Sequence, residues 1–198
     1  MGPGFIFDLD GTLADTMPAH YLAWTVIARR YGLSFPEDRF YKLGGVPTFK
    51  IAAQLIAEAG LTLEPNLVAR EKEQAYVAGL DDPANVQPIA AVVEIARRRW
   101  QEKEGPLAVA SGSVRHLIDR TLAQLGITEW FSAIVAAEDT ARHKPEPDVF
   151  LEAARRLGVE PERCTVYEDT DIGLEAARRA GMQPFDVRPL YAPRRVSL

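Results

Sequence analysis

The chain has 198 residues, 47% hydrophobic and 26% charged, which suits one globular domain, or one domain carrying an insert, and excludes a disordered chain. Its 23 Lys+Arg against 28 Asp+Glu leave a net charge of −5, a poor balance for binding nucleic acid through overall charge. One cysteine, Cys164, excludes an internal disulfide, no apolar run is long enough to span a membrane, and the first residues lack the features of a secretory leader. The expectation is a monomer in a reducing, cytoplasmic setting, with no nucleic-acid or membrane partner.

Phe5-Ile6-Phe7 running into Asp8-Leu9-Asp10-Gly11 reads as a buried strand whose loop lies at its C-terminal end. From about Pro18 to Gly79 the pattern is helical. Tyr21, Trp24, Ile27 and Ala28 share one face, as do Ile51, Leu55 and Ile56. A helix is then predicted over Val86 to Trp100, followed by a strand at Leu107–Ala110 that ends in Ser111-Gly112-Ser113. A further helix runs to Gly126. A third strand spans Ala133 to Ala136, and His143-Lys144-Pro145 follows in a loop. The helix from Asp148 to Leu157 precedes the strand Thr165-Val166-Tyr167, which ends in Glu168-Asp169. Asp171 is placed to start the last helix, Gly181 to close it, and Gln183 to Val187 forms the final strand.

Short apolar strands alternating with helices predict an α/β fold, a doubly wound parallel (Rossmann-like) sheet with an inserted all-helical cap. The core domain is expected at 1–16 and 80–198, and the cap at 17–79. Hinges are expected at Asp15-Thr16 and Gly79-Leu80.

Ligands bind at the C-terminal edge of a parallel sheet. There the chain places Asp8, Asp10, Ser111, Lys144, Glu168 and Asp169. Carboxylates, a hydroxyl and an ammonium are what phosphoryl transfer through an aspartate needs. A carboxylate and a phosphate about 4 Å apart repel by about 4 kcal/mol at an effective dielectric near 20. A divalent cation must offset this, and hard oxygens from Asp8, Asp169 and a backbone carbonyl suit Mg²⁺. Lys144 adds a fixed positive charge, Ser111 can donate to a phosphoryl oxygen, and the N–H groups of Gly112 and Ser113 are expected to open a helix and cradle the anion. Asp10 can protonate a leaving oxygen and later take a proton from water.

At these positions the chain resembles the haloacid dehalogenase superfamily. Phe7-Asp8-Leu9-Asp10-Gly11-Thr12-Leu13 matches its first motif, Ser111-Gly112-Ser113 the second, Lys144-Pro145 the third, and Glu168-Asp169 with Gly173 the fourth. The insert looks like the helical cap of the β-phosphoglucomutase-like branch, and within it the chain looks closest to the fructose-1-phosphatase-like sugar phosphatases. That likeness rests on Val135–Asp139, His143–Asp148, Gln183–Arg188 and the cap run Gly45–Ile51. The resemblance implies Asp8 as nucleophile, Asp10 as general acid/base, and Mg²⁺ held by Asp8, the Asp10 carbonyl and Asp169, with Glu168 binding the metal or orienting Asp169. It implies a small phosphorylated substrate, such as fructose 1-phosphate or a 6-phosphogluconate-like sugar acid, contacted by Gly112, Ser113, His20, Gly45, Thr48 and Lys50. The cap is expected to close over the site and supply specificity. Thr48 stands where mutases of this branch carry a phosphate-binding arginine, and Gly44 where they carry a lysine. Lys50 is expected to substitute in part from the next turn. The loss of that grip favours water as acceptor, and hence hydrolysis, over the alternative of a sugar phosphomutase.

Plainer readings stand beside these. Asp8 to Gly11 could be only a turn, Ser113 a helix cap, and His20 and Lys50 helix surface. A phospho-receiver domain shares the sheet and the residue types, but its acid pair sits on a different strand from its phosphorylated aspartate. Cys164 reads as an inert core thiol and His116 as surface. His143 is open between surface and site, and Arg97-Arg98-Arg99 reads as a solvated helix end.

Overall fold

All four residues of Gly4–Phe7 are buried, as a strand covered on both faces requires. The computed structural model describes residues 2–196. Its strands are β1 (Gly4–Phe7), β2 (Ala14–Asp15), β3 (Gln87–Pro88), β4 (Leu107–Ala110), β5 (Ala133–Val135), β6 (Cys164–Glu168) and β7 (Gln183–Asp186). Its α-helices are α1 (Met17–Tyr31), α2 (Glu37–Lys42), α3 (Thr48–Glu58), α4 (Pro65–Gly79), α5 (Ala90–Gln101), α6 (Arg115–Leu125), α7 (Asp148–Leu157) and α8 (Asp171–Arg179).

Five strands form a parallel sheet in the order β5-β4-β1-β6-β7. The chain leaves β1 toward one edge and later returns to the other side of β1, so the switch point of this doubly wound α/β sheet falls at β1. Strand alternation sorts the side chains. Phe5 and Phe7 share one face with Leu107, Val109 and Tyr167, covered by Val92 and Ala96 of α5 and Ile118 and Leu122 of α6. Ile6 faces the other way with Ala108, Ala110 and Val166, covered by Phe150 and Ala153 of α7 and Ala176 and Ala177 of α8. The rings of Phe7 and Tyr167 stack 4.4 Å apart, joining the central strand to its neighbour.

The described residues divide into two units, one of 2–15 and 87–193 and the other of 16–86 and 194–196. The helical unit has its own core, in which Trp24, Ile27, Phe35, Phe40, Ile51, Leu55 and Val68 are buried together. The apolar stripes expected on α1 and α3 supply most of it.

Several boundaries differ from the sequence reading. Helix α5 starts at Ala90, not Val86. Residues 87 and 88 pair antiparallel with Ala14 and Asp15 instead, the N–H of Ile89 donates to Leu13 O at 2.9 Å, and Pro88 has no N–H to offer a helix. The chain re-enters the sheet unit at 86/87 rather than at Gly79-Leu80. Leu80 is fully buried, and Asn85 Nδ2 donates to Gly79 O at 2.8 Å, which ties this stretch to the end of α4. The tail also departs from the expected core boundary. Arg195 pairs with Asp38 at 3.2 Å, and Val196 N donates to Glu37 Oε1 at 2.8 Å, so 194–196 belong with the helical unit. Helix α6 begins at Arg115, with Val114 before it, so Gly112 and Ser113 form a loop rather than open the helix. Helix α8 does start at Asp171, as expected, and Thr170 before it is the cap, its hydroxyl accepting from Gly173 N at 3.1 Å.

Cys164 is buried at the start of β6, and burial, with a smaller push from Glu162, raises its thiol to about 11. The folded protein is therefore expected to resist iodoacetamide at pH 8 and to be alkylated quickly once unfolded in guanidinium. Intact mass spectrometry reads the difference, and equal labelling rates would show the thiol to be accessible.

Candidate active site

Register brings the acidic residues together before any side chain is placed. Phe7 lies level with Val109 on one side and Tyr167 on the other. Asp8, the next residue, therefore emerges between the ends of β4 and β6, its N–H bonded to Tyr167 O at 3.0 Å. Ser111 follows β4, Glu168 ends β6, and Asp169 comes next. Lys144 reaches the same place from the loop after β5, through a cis Lys144–Pro145 peptide.

The Lys144 ammonium donates to Asp8 Oδ1 at 2.6 Å, to Glu168 Oε2 at 2.7 Å and to Ala110 O at 3.4 Å. Its three donors are all used. The side chains of Lys144 and Asp8 are each only 9% exposed, and that of Glu168 is 1% exposed. Glu168 Oε1 accepts from Asp169 N at 3.1 Å, Thr170 N at 2.9 Å and Thr170 Oγ1 at 2.7 Å. Both of its oxygens are thus engaged in holding Lys144 and the Asp169 backbone. Asp169 Oδ1 accepts from the Thr12 hydroxyl at 3.0 Å.

Asp8, Glu168 and Asp169 each present a carboxylate oxygen within 4.8 Å of the others. One ammonium against three carboxylates leaves excess negative charge in a buried place. Burial raises Asp8 to about 8, with Lys144 pulling it down and Glu168 adding to the rise. Burial, then Glu168 and Asp8, raises Asp169 well above the usual carboxylate range. For Lys144, burial would lower the ammonium, but Asp8 and Glu168 outweigh it and the net shift is upward. A compact set of hard oxygens short of positive charge fits a divalent cation of the Mg²⁺ type.

Asp10 is half-buried, and its Oδ2 accepts from the Ser113 hydroxyl at 2.6 Å. The Ser113 N–H donates to Ser111 Oγ at 3.1 Å. This amide is therefore engaged inside its own loop, and Ser113 addresses Asp10 rather than capping a helix. Gly112 is exposed, with open space where a Cβ would sit. His143 and His116 are exposed.

The helical unit holds a polar cluster of its own. Lys72 is 2% exposed, and its Nζ lies 2.7 Å from His20 Nδ1. Lys72 also lies 3.3 Å from Glu73 Oε1, which accepts from the Thr48 hydroxyl at 2.9 Å. Burial would raise Glu73, but Lys72, His20 and Thr48 outweigh it and hold it lowered. The His20 ring stacks on Tyr76 at 3.7 Å.

Lys72 and Glu73 were missed in the sequence. The available signal was a lysine on the buried Val68–Lys72–Tyr76 stripe of α4. Gly45 and Lys50 are exposed, and Lys50 follows Thr48 by two positions in the same helix. Residues two apart on a helix do not face each other, so Thr48 and Lys50 leave α3 in different directions. Arg99 is not simply solvated either, since its guanidinium lies 4.7 Å from the Phe5 ring centroid.

A family model described as haloacid dehalogenase-like hydrolase matches residues 5–187. The chain belongs to this family. It is 42% identical over 166 residues to a fructose-1-phosphate phosphatase of Escherichia coli, covering 84% of this chain and 86% of the relative. It is 30% identical over 169 residues to the beta-phosphoglucomutase of Bacillus subtilis, covering 83% and 74% respectively. Among solved structures, beta-phosphoglucomutase from Clostridium difficile matches with a TM-score of 0.79 at 27% identity, covering 93% of this chain and 83% of that one.

For this haloacid dehalogenase-like hydrolase, Gly173 offers a test of the Glu168 scaffold. A Cβ there would lie 2.1 Å from the Glu168 carboxyl carbon, and Glu168 is too enclosed to move aside. Gly173→Ala is expected to cost about 1–3 kcal/mol in denaturant unfolding through loss of buried hydrogen bonds, and to lower phosphatase activity with it. A variant as stable and active as the parent would show that Glu168 does not need its present position.

Proposed function

We propose that this hydrolase is a phosphatase that removes phosphate from small sugar phosphates through a covalent intermediate on Asp8, with fructose 1-phosphate the first substrate to assay. The observation that carries the reading is the buried Asp8–Lys144–Glu168 arrangement beside Asp169, with Asp10 next to the nucleophile and bonded to Ser113.

In the first step an Asp8 carboxylate oxygen attacks phosphorus. The bond from phosphorus to the sugar oxygen breaks, and Asp10 gives that oxygen a proton. In the second step water attacks the phosphorus, Asp10 takes back a proton, and the aspartyl–phosphate bond breaks. Inorganic phosphate leaves and the Asp8 carboxylate is restored. Lys144 fixes Asp8 Oδ1 and keeps its charge in the site. The Ser113 hydroxyl holds Asp10 for the proton transfer, and Ser111 and Gly112 line the phosphate end. Asp8 and Asp169, together with the Asp10 carbonyl, would hold Mg²⁺, with Glu168 orienting Lys144 and Asp169. Mg²⁺, when bound, offsets the repulsion between carboxylates and phosphate.

His20, Gly45, Thr48 and Lys50 of the helical unit are proposed to select the sugar, with Lys72 and Glu73 holding His20 and Thr48. Hydrolysis is favoured over transfer to a second sugar hydroxyl because a carboxylate, Glu73, stands against Thr48 and takes up the Lys72 charge.

Release of inorganic phosphate from fructose 1-phosphate and a panel of sugar and sugar-acid phosphates, with and without Mg²⁺, tests the reading. Interconversion of sugar 1- and 6-phosphates primed by a bisphosphate would make the protein a mutase instead. Asp8→Asn is expected to lower kcat by more than roughly a thousandfold, and a milder loss would argue against a covalent role.

Asp169→Asn should separate function from stability. A carboxyl raised in the folded state binds its proton more tightly there than in the unfolded chain, so it costs stability as pH rises past its ordinary value. Without metal, the Tm of Asp169→Asn relative to the parent is expected to increase between pH 5 and pH 8, while turnover is lost. Parallel pH slopes would show that Asp169 carries no such penalty.

A further inference from the structure

We propose that Tyr191 is a positioning residue for the hydrolysis, its hydroxyl holding the turn that carries Asp10 and Thr12. The proposal rests on the phosphatase reading above and adds a residue outside every motif identified in the sequence.

The turn after β1 is built around Gly11. Its φ of +87° suits glycine, and a Cβ there would lie 2.3 Å from Asp169 Oδ2. The backbone of Gly11 therefore rests against a carboxylate of the site. Its N–H donates to Ala14 O at 2.8 Å. On its other side, the Tyr191 hydroxyl donates to the Gly11 carbonyl. A peptide unit is planar, so each bond orients a whole plane. The Ala14 bond sets the Asp10–Gly11 peptide, and the Tyr191 bond sets the Gly11–Thr12 peptide. Thr12 in turn reaches Asp169 through its hydroxyl. Two peptide planes and three side chains of the site thus depend on how Gly11 is gripped.

Tyr191 is well placed to act as a fixed post. Its ring packs against the core on the α5/α6 face of the sheet. It follows a short 3₁₀ turn, Arg188–Leu190, and that turn is bolted to the sheet. The Arg188 guanidinium bonds Asp186 at 2.6 to 3.0 Å and Asp171 Oδ1 at 2.8 Å, and Val187 N donates to Glu168 O at 3.0 Å. The same strand end that carries Glu168 therefore anchors the tail that reaches back to Gly11. Small displacements of a reacting group can cost as much as about a hundredfold in rate, and one hydroxyl removed from a turn with other bonds should cost less.

Tyr191→Phe keeps the packed ring and deletes the bond. With fructose 1-phosphate and saturating Mg²⁺, kcat is expected to fall about tenfold, with KM within about twofold and Tm unchanged. Hydrogen exchange of the peptide covering Asp8 to Asp15 is expected to speed up while the other sheet peptides stay protected. Parent-like kcat and exchange would overturn the proposal. So would a loss of Tm with faster exchange across the whole sheet, which would make Tyr191 merely structural. If the parent protein hydrolyses no phosphomonoester, the phosphatase reading fails on its own, and the exchange comparison still decides whether Tyr191 holds the turn.

Discussion

A buried ammonium shared between two carboxylates is the contact on which the site depends. Lys144 sits between Asp8 and Glu168 with almost no water around it. Buried ion pairs contribute little net stability once desolvation is counted, yet breaking one by removing a partner is costly. The value of this one is geometric. It holds one oxygen of Asp8 in place and links the end of the central strand to the end of β6. The remaining carboxylate, Asp169, has no ammonium of its own among the described residues and accepts from the Thr12 hydroxyl. The fold concentrates negative charge at one sheet edge and neutralises only part of it, which leaves a demand for a cation there.

The sheet makes that concentration possible. Because β1 is central and parallel to both neighbours, residues that follow three different strands arrive at one level. The apolar faces beneath them are closed by two pairs of helices, so the backbone that presents the acids is stiff. The two strands leading to and from the helical unit are paired as β2 and β3. Both crossings therefore leave from a hydrogen-bonded ribbon rather than from loose linkers.

The helical unit uses a second buried lysine in a different way. Lys72 is balanced within its own surroundings by Glu73 and lies against His20. Its charge is spent on holding a side-chain arrangement. Lys144, by contrast, holds the carboxylate proposed to react. Two lysines of similar burial thus have distinct consequences, decided by which groups each meets.

Asp8, Ser111, Glu168 and Asp169 were legible in the chain because each lies at or just past the end of a short apolar strand, with Asp10 two residues beyond Asp8 and Lys144 in the loop after the third strand of the sheet. The α/β alternation and the apolar stripes of α1 and α3 were legible for the same reason, since periodicity follows directly from backbone geometry. The register that sets Lys144 on both Asp8 and Glu168, the pairing of Lys72 with His20, the β2–β3 ribbon, the start of α6 beyond Ser113, and the reach of Tyr191 back to Gly11 were not. Each joins residues far apart in the chain or depends on competition between local hydrogen bonds. By itself the sequence determined which chemical groups are present and which strand each one comes after. Only the tertiary structure decided which of them touch, because contact distance and burial arise when distant segments pack together and carry no periodic signal along the chain.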